Sequence, residues 1–148
     1  MTIGWCFDNT YFKLPKAFKE DIKPIPVKKP ELVLFNKELG EDLNLNFSDL
    51  NNQRLAELFS GNSLPDGSNS IAQAYAGHQF GHFTMLGDGR AVLIGEHLSK
   101  DNKRYDIQFK GSGKTSFSRN SDGRAALGPM LREYIISEAM NGLRIPTT

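Results

Sequence analysis

Two short turns in this chain combine glycine with a basic side chain: Gly87-Asp88-Gly89-Arg90 and Gly111-Ser112-Gly113-Lys114-Thr115. Glycine lets backbone N–H groups come close to an anion, and an adjacent Arg or Lys adds charge-assisted bonds to phosphate oxygens. The pair reads either as a phosphate cradle or as two ordinary turns, where glycine commonly sits. Lys110 closes an alternating run and emerges opposite Ile107 and Phe109, beside the second turn. There it suits a phosphate as a point charge, or it is an exposed lysine on a polar face. Glu133 lies in a later helical stretch, at helical spacing from Ile136 and Met140. A carboxylate on that surface calls for a cationic partner, and Lys110, Arg132 and Arg144 are all candidates. A strand lysine paired with a glutamate of the next helix is how protein kinases position ATP phosphates.

Other chemistries fit less well. Gly113-Lys114-Thr115 after a strand ends as a Walker A motif ends, but the required earlier glycine is missing, since position 108 is Gln. The preceding strand also reads as half of a hairpin, whereas P-loop folds alternate strand and helix. His78 and His82 are spaced as on a zinc-binding helix, yet Gly77 and Gly81 weaken a helix there, so polar loop histidines are expected. His97 falls in a strand and needs no function. No Ser-His-Asp arrangement follows from spacing.

The elements that must position these residues read as α+β. Ala91 to Leu98 and Lys103 to Lys110 form an antiparallel hairpin joined by Ser99 to Asn102, with Tyr105, Ile107 and Phe109 on one face. Gly111 to Gly123 is a long polar loop, a kind more often functional than idle. The helix that follows has Pro129 in its first turn, Gly142 as its stop, and a broad apolar surface from Met130, Leu131, Tyr134, Ile135, Ala139 and Met140. Upstream, residues 1–30 read as loop because of Pro15, Pro24, Pro26 and Pro30. A helical turn is expected over Asn36 to Leu43. A second helix carries Leu50, Leu55, Leu58 and Phe59, with Ser48 as N-cap and Gly61 after its end. Ile71 to Phe83 carries no clear helix or strand period. The chain divides at 70, into an extension with loops and a short helix over 1–70 and a second part over 71–148 that holds both glycine turns.

Bulk properties exclude several classes. A length of 148 residues fits one domain or one lobe, and 39% hydrophobic residues suffice for a core. A formal net charge of +1 gives no field favouring nucleic acid or an anionic membrane, so neither is expected as a partner. The single cysteine, Cys6, allows no intramolecular disulfide, which fits a reducing compartment. With no long apolar run and no signal-like start, a cytoplasmic location is expected.

Several motifs in order, Tyr75 to Gly81, Leu86 to Arg90, Lys110 to Thr115, Ser118 to Ala125, Arg132 to Met140 and Ile145 to Thr148, together resemble the selenoprotein O family with its YdiU-type bacterial members. Phe7 to Tyr11 and Phe59 to Asn62 resemble it too. The resemblance implies a protein-kinase-like N-terminal lobe and a protein adenylyltransferase that moves AMP from ATP to Ser, Thr or Tyr hydroxyls of target proteins with Mg2+ or Mn2+. It implies a nucleotide flipped relative to kinases, with ATP contacts from Gly87, Gly89, Arg90, Lys110, Asp122 and Gly123, and Glu133 as partner of Lys110 in phosphate positioning. Asp122, being anionic, is expected to act through hydrogen bonding, a cation or the shape of its loop. Gly128-Pro129 departs from the family pattern and suggests a late helix start. The family's catalytic base, metal-binding Asn and Asp, further arginines and redox-active C-terminal Cys or selenocysteine are expected beyond Thr148, leaving this chain alone with weak or no ATP binding and no catalysis. A non-catalytic nucleotide-binding or interaction module is the alternative, and a P-loop NTPase a weaker one.

Overall fold

A computed structural model describes residues 2–79 and 81–148. Its frame is an antiparallel sheet of five strands: β1 (Lys19–Asp21), β2 (Ile71–Gln79), β3 (His82–Gly87), β4 (Ala91–Leu98) and β5 (Arg104–Lys110). The strands run in the order β1-β2-β4-β5, and β3 pairs with β2 outside that row. Three α-helices accompany them: α1 (Lys37–Asp42), α2 (Asn52–Phe59) and α3 (Leu127–Gly142), and two 3-10 turns, Tyr11–Lys13 and Lys16–Phe18, interrupt the expected N-terminal loop.

The expected hairpin is present as β4 and β5, in register from Ala91 opposite Lys110 to Leu98 opposite Arg104. A bulge between Leu93 and Gly95 interrupts it. Strand β4 is buried from Ala91 to His97, because β2 and β5 flank its edges and other elements cover both faces. Val92, Ile94 and Phe109 form the centre of the core, packed by Phe7, Ile22, Phe59, Leu64 and Ile107. Residues of the first seventy and the last seventy-eight positions thus share one core and one sheet.

Strand β2 explains why the 71–83 stretch gives no clear period. Its first residues pair with β1 and touch β4 at Ile71 opposite Leu93, while Ala74 to Gln79 pair only with β3. The first three residues of the strand belong to the main row and the other six to a two-stranded ribbon, so no single pattern of burial applies. His78 and His82 lie on β2 and β3 of this ribbon, not in a loop. Phe80, part of that stretch, lies outside the described residues.

Several boundaries differ from expectation. Strand β1 lies between Pro15 and Pro24, where only a three-residue edge strand fits. Asn51, not Ser48, caps α2, its side chain accepting from the Arg54 N–H. Helix α3 starts at Leu127, before Pro129, and Gly142 is its last helical residue instead of its stop. Arg144 takes the left-handed conformation (φ +58°), with Arg144 N–H to Asn141 O at 2.9 Å and Ile145 N–H to Met140 O at 3.0 Å, the paired bonds of a Schellman end. No α3 residue is buried, and Ile135 and Ile136 are each 61% exposed, so the expected apolar surface does not enter the core.

The N-terminal segment is strapped across β4. Phe7 bridges to His97, and the Glu96 carboxylate accepts from Thr10 Oγ at 2.7 Å and from the Tyr11 N–H at 2.6 Å. His97 is buried at 1% exposure; the Cys6 N–H donates to its Nδ1, so Nε2 carries the proton donated to Leu43 O at 2.8 Å. Trp5 stacks on Phe7 at 5.4 Å and meets His97 edge-on at 5.7 Å.

Candidate functional site

The turn between β3 and β4 and the end of β5 face one open hollow of about 560 Å³. Gly87, Asp88, Gly89 and Arg90 line it, with Gln108 and Lys110 of β5 alongside. Phe117, Ser118, Arg119 and Ser121 close a second side, and Tyr75 and Gln79 of the β2–β3 ribbon a third. Lys110 reaches it because Ala91 pairs with Lys110, which sets the end of β5 beside the start of β4.

Helix α3 supplies the counter-charge. Lys110 Nζ lies 2.5 Å from Glu133 Oε2, so of the three candidate cations the fold selects Lys110. The hydrogen bond from Lys110 holds the Glu133 carboxyl below its ordinary range, helped by the charges of Lys110 and Arg90. The pair is half exposed, so it orients Lys110 more than it stabilises the fold.

The glycines of the turn have a specific steric cause. A Cβ on Gly87 would lie 2.3 Å from the Phe117 ring, and one on Gly89 would lie 2.8 Å from the Phe117 carbonyl oxygen. What they admit directly is the 115–118 segment, which lies on the turn. That segment also takes up the turn's carbonyls: Thr115 Oγ donates to Asp88 O at 2.7 Å and Ser118 Oγ to Gly89 O at 2.5 Å. The Gly111 N–H donates to Arg90 O at 2.6 Å. With three successive carbonyls tied back, the turn is rigid on its inner side and offers its outer side and the Arg90 guanidinium to the hollow.

Asp88 and Gln108 escaped sequence reasoning. Asp88 Oδ2 accepts from the Gln73 N–H at 3.1 Å and from Gln108 Nε2 at 3.2 Å, fastening the turn to β2 and β5. Burial pushes the Asp88 carboxyl above its ordinary value, against those two hydrogen bonds. The polar face of β5 was legible, but the loop residue it would meet was not.

Asp122 and Gly123 stand apart from the hollow's lining. Asp122 Oδ1 accepts from the Arg124 N–H at 2.9 Å, a local turn bond. Gly123 is buried at φ +71°, and a Cβ there would lie 2.0 Å from Gly113 O. Gly113 N–H donates to Gly123 O at 3.0 Å, which closes the loop on itself. The structure brings Gly87, Gly89, Arg90, Lys110 and Glu133 together; Asp122 and Gly123 shape the loop beside them. Lys114 is exposed and absent from the lining, and β5 leads into an irregular loop from an antiparallel sheet, unlike a P-loop.

An α+β fold with a cationic hollow beside a lysine–glutamate pair fits a nucleotide-handling protein, and sequence comparison narrows that class. A family model described as protein adenylyltransferase SelO matches residues 3–148, and the chain belongs to that family. It is 71% identical over 148 residues to a protein nucleotidyltransferase YdiU of Pelagibacter ubique, covering all of this chain and 31% of that relative. It is 66% identical over 146 residues to the protein of the same name from Nitrosococcus oceani, covering 99% of this chain and 30% of the relative. The Brevibacillus brevis protein of that name is 58% identical over 145 residues. The chain spans about 30% of the length of these relatives.

Proposed function

We propose that this chain is the ATP-binding N-terminal part of a protein adenylyltransferase, built as a protein-kinase-like lobe over residues 71–148 with 1–70 woven into it. The observation that carries the reading is the Lys110–Glu133 pair, 2.5 Å apart, opening on the hollow that the 87–90 turn lines. The reaction joins a Ser, Thr or Tyr hydroxyl oxygen of a target protein to the α-phosphorus of ATP and breaks the bond to the β-phosphate. Pyrophosphate departs with its electron pair and the hydroxyl proton goes to a base. Arg90 and Lys110 neutralise charge on the departing pyrophosphate, the role for which fixed cations count most. Gly87 and Gly89 keep the turn close; Asp122 and Gly123 fix the adjoining loop and act on nucleotide through it.

Mg2+ or Mn2+ would neutralise phosphate charge in such a reaction. Among the described residues no group of three or more His, Cys, Asp or Glu side chains could hold a metal ion. The nearest carboxylates are committed, Asp88 to Gln73 and Gln108 and Glu133 to Lys110. These residues do not fit a metal centre.

No helix among the described residues is long and apolar enough to cross a membrane. We read the protein as cytoplasmic, acting on protein targets and not on nucleic acid.

Calorimetry of the chain with ATP tests the reading. ATP binding that falls at least tenfold in Lys110→Met, with Lys114→Met unchanged, supports it. No binding by the unaltered chain at millimolar ATP sinks it. A transfer assay with labelled ATP and manganese is expected to give no labelled protein from the chain alone. Binding without transfer also suits a non-catalytic nucleotide-binding module, the second reading.

A further inference from the structure

We infer that the outer edge of β3 seats an extended, uncharged segment of the protein whose hydroxyl accepts AMP, an assignment that rests on the adenylyltransferase reading above. Among the described residues β3 pairs with β2 alone, and Ala74 to Gln79 of β2 pair with β3 alone. This part of the sheet is a ribbon of two strands, and two strands are marginal in water without a third strand or a covering helix. An edge strand presents a row of backbone N–H and C=O groups, and proteins normally guard such edges with charge, proline or a bulge. Strand β3 has none of these guards. Residues 71–87 contain no Asp, Glu, Lys, Arg or Pro, and the pairing runs without a bulge from Ala74 opposite Gly87 to Gln79 opposite His82.

The side chains define what the edge takes. Met85 lies opposite Ala76 and Phe83 opposite His78, so these four share one face, with the Phe83 ring edge-on to His78 at 5.9 Å. Met85 is 70% exposed and Phe83 63%, two large apolar surfaces at alternate positions. A strand laid on β3 sets its own alternate side chains against them. With no Asp, Glu, Lys or Arg on the ribbon, nothing there attracts an acidic or a basic segment, so the occupant is uncharged, with apolar or β-branched residues at every second position. The opposite face connects the edge to the chemistry. Tyr75, Gln79 and Leu86 line the hollow, and β3 runs straight into the 87–90 turn. A strand on the edge lies about 4.8 Å from β3, so it passes beside that turn and carries a Ser, Thr or Tyr of its own to the mouth of the hollow. This continuity favours a target segment over a second copy of the chain.

The test is titration of the nitrogen-15-labelled chain with a peptide of about six residues, Val and Thr alternating around one Ser, followed by a lysine for solubility. Amide shifts are expected over 83–87. Met85→Lys and Phe83→Lys, which place a guarding charge on the edge, are expected to weaken the peptide by about tenfold and to leave the melting temperature unchanged. N-methylation of alternate peptide amides separates the peptide's two edges. One alternate set is expected to abolish binding and the other to spare it, because a strand pairs through one edge at a time. Equal affinity of the two methylated peptides, or shifts away from β3, would overturn the assignment. A lower melting temperature in both lysine variants would make the apolar face structural and overturn it too. No binding at millimolar peptide ends the inference, and self-association removed by Met85→Lys would then give the edge to a second copy. Calorimetry with ATP keeps the two readings apart. ATP bound without peptide leaves the nucleotide reading intact and ends the docking edge; peptide bound at β3 without ATP does the reverse.

Discussion

At the scale of single residues, the hollow depends on side chains that touch each other before they touch any ligand. Gly89 is the clearest case. A methyl group there would meet the Phe117 carbonyl oxygen at 2.8 Å, and backbone cannot rotate aside as a side-chain tip can. Gly89→Ala is expected to cost about 2 kcal/mol in denaturant unfolding, by forcing the 115–118 segment off the turn. Asp88 gives a pH signature. Its folded carboxyl titrates above its ordinary value because of burial, so the native state holds the proton more tightly than the unfolded chain. As pH rises through the ordinary carboxylate value towards the raised one, ionising Asp88 removes stability. Asp88→Asn keeps an acceptor for Gln73 and Gln108 without the charge. The stability difference, variant minus unaltered chain, is expected to grow from pH 3 to pH 7; a flat difference in melts across that range would contradict the raised carboxyl.

At the scale of elements, the sequence was readable where one face of an element does one job. Tyr105, Ile107 and Phe109 alternate with polar neighbours, and β5 follows that pattern to its end at Lys110. The partnership of Lys110 with Glu133 was open because three cations were plausible and only the placement of α3 beside the end of β5 chooses. The β2–β3 ribbon was unreadable because one strand changes partners midway. Helix ends misled for a different reason: glycine is the usual left-handed stop, but here Arg144 adopts that conformation one residue past the cap. Arg144→Gly is therefore expected to stabilise the chain by about 0.5–1 kcal/mol in thermal melts. The cap of α2 sits at Asn51 because its carboxamide reaches the Arg54 N–H at 2.9 Å, and Asn51→Ala is expected to cost about 1 kcal/mol.

At the scale of the whole molecule, residues 5–11 lock the sheet from outside. Glu96 is 5% exposed, and its carboxylate is satisfied by Thr10 and the Tyr11 amide, with Arg104 3.7 Å away. The composition of Phe7 to Tyr11 gave no hint of this, because the partner lies some eighty-five positions away. Glu96→Ala is expected to cost about 2 kcal/mol and to open residues 2–14 to protease, since it removes the two hydrogen bonds that tie Thr10 and Tyr11 to β4, while Arg104 keeps Asp8. A cut pattern unchanged in that region would show that the strap holds by its aromatic contacts alone.

Those contacts carry a practical consequence. The chain has a single tryptophan, and it is Trp5, seated in the strap against Phe7 and His97. Its emission colour therefore gauges one event, the peeling of the amino-terminal segment from β4, without any attached dye. A red shift arriving before the loss of circular dichroism would show the strap leaving a still-folded sheet; coincident curves would show strap and sheet melting as one cooperative unit.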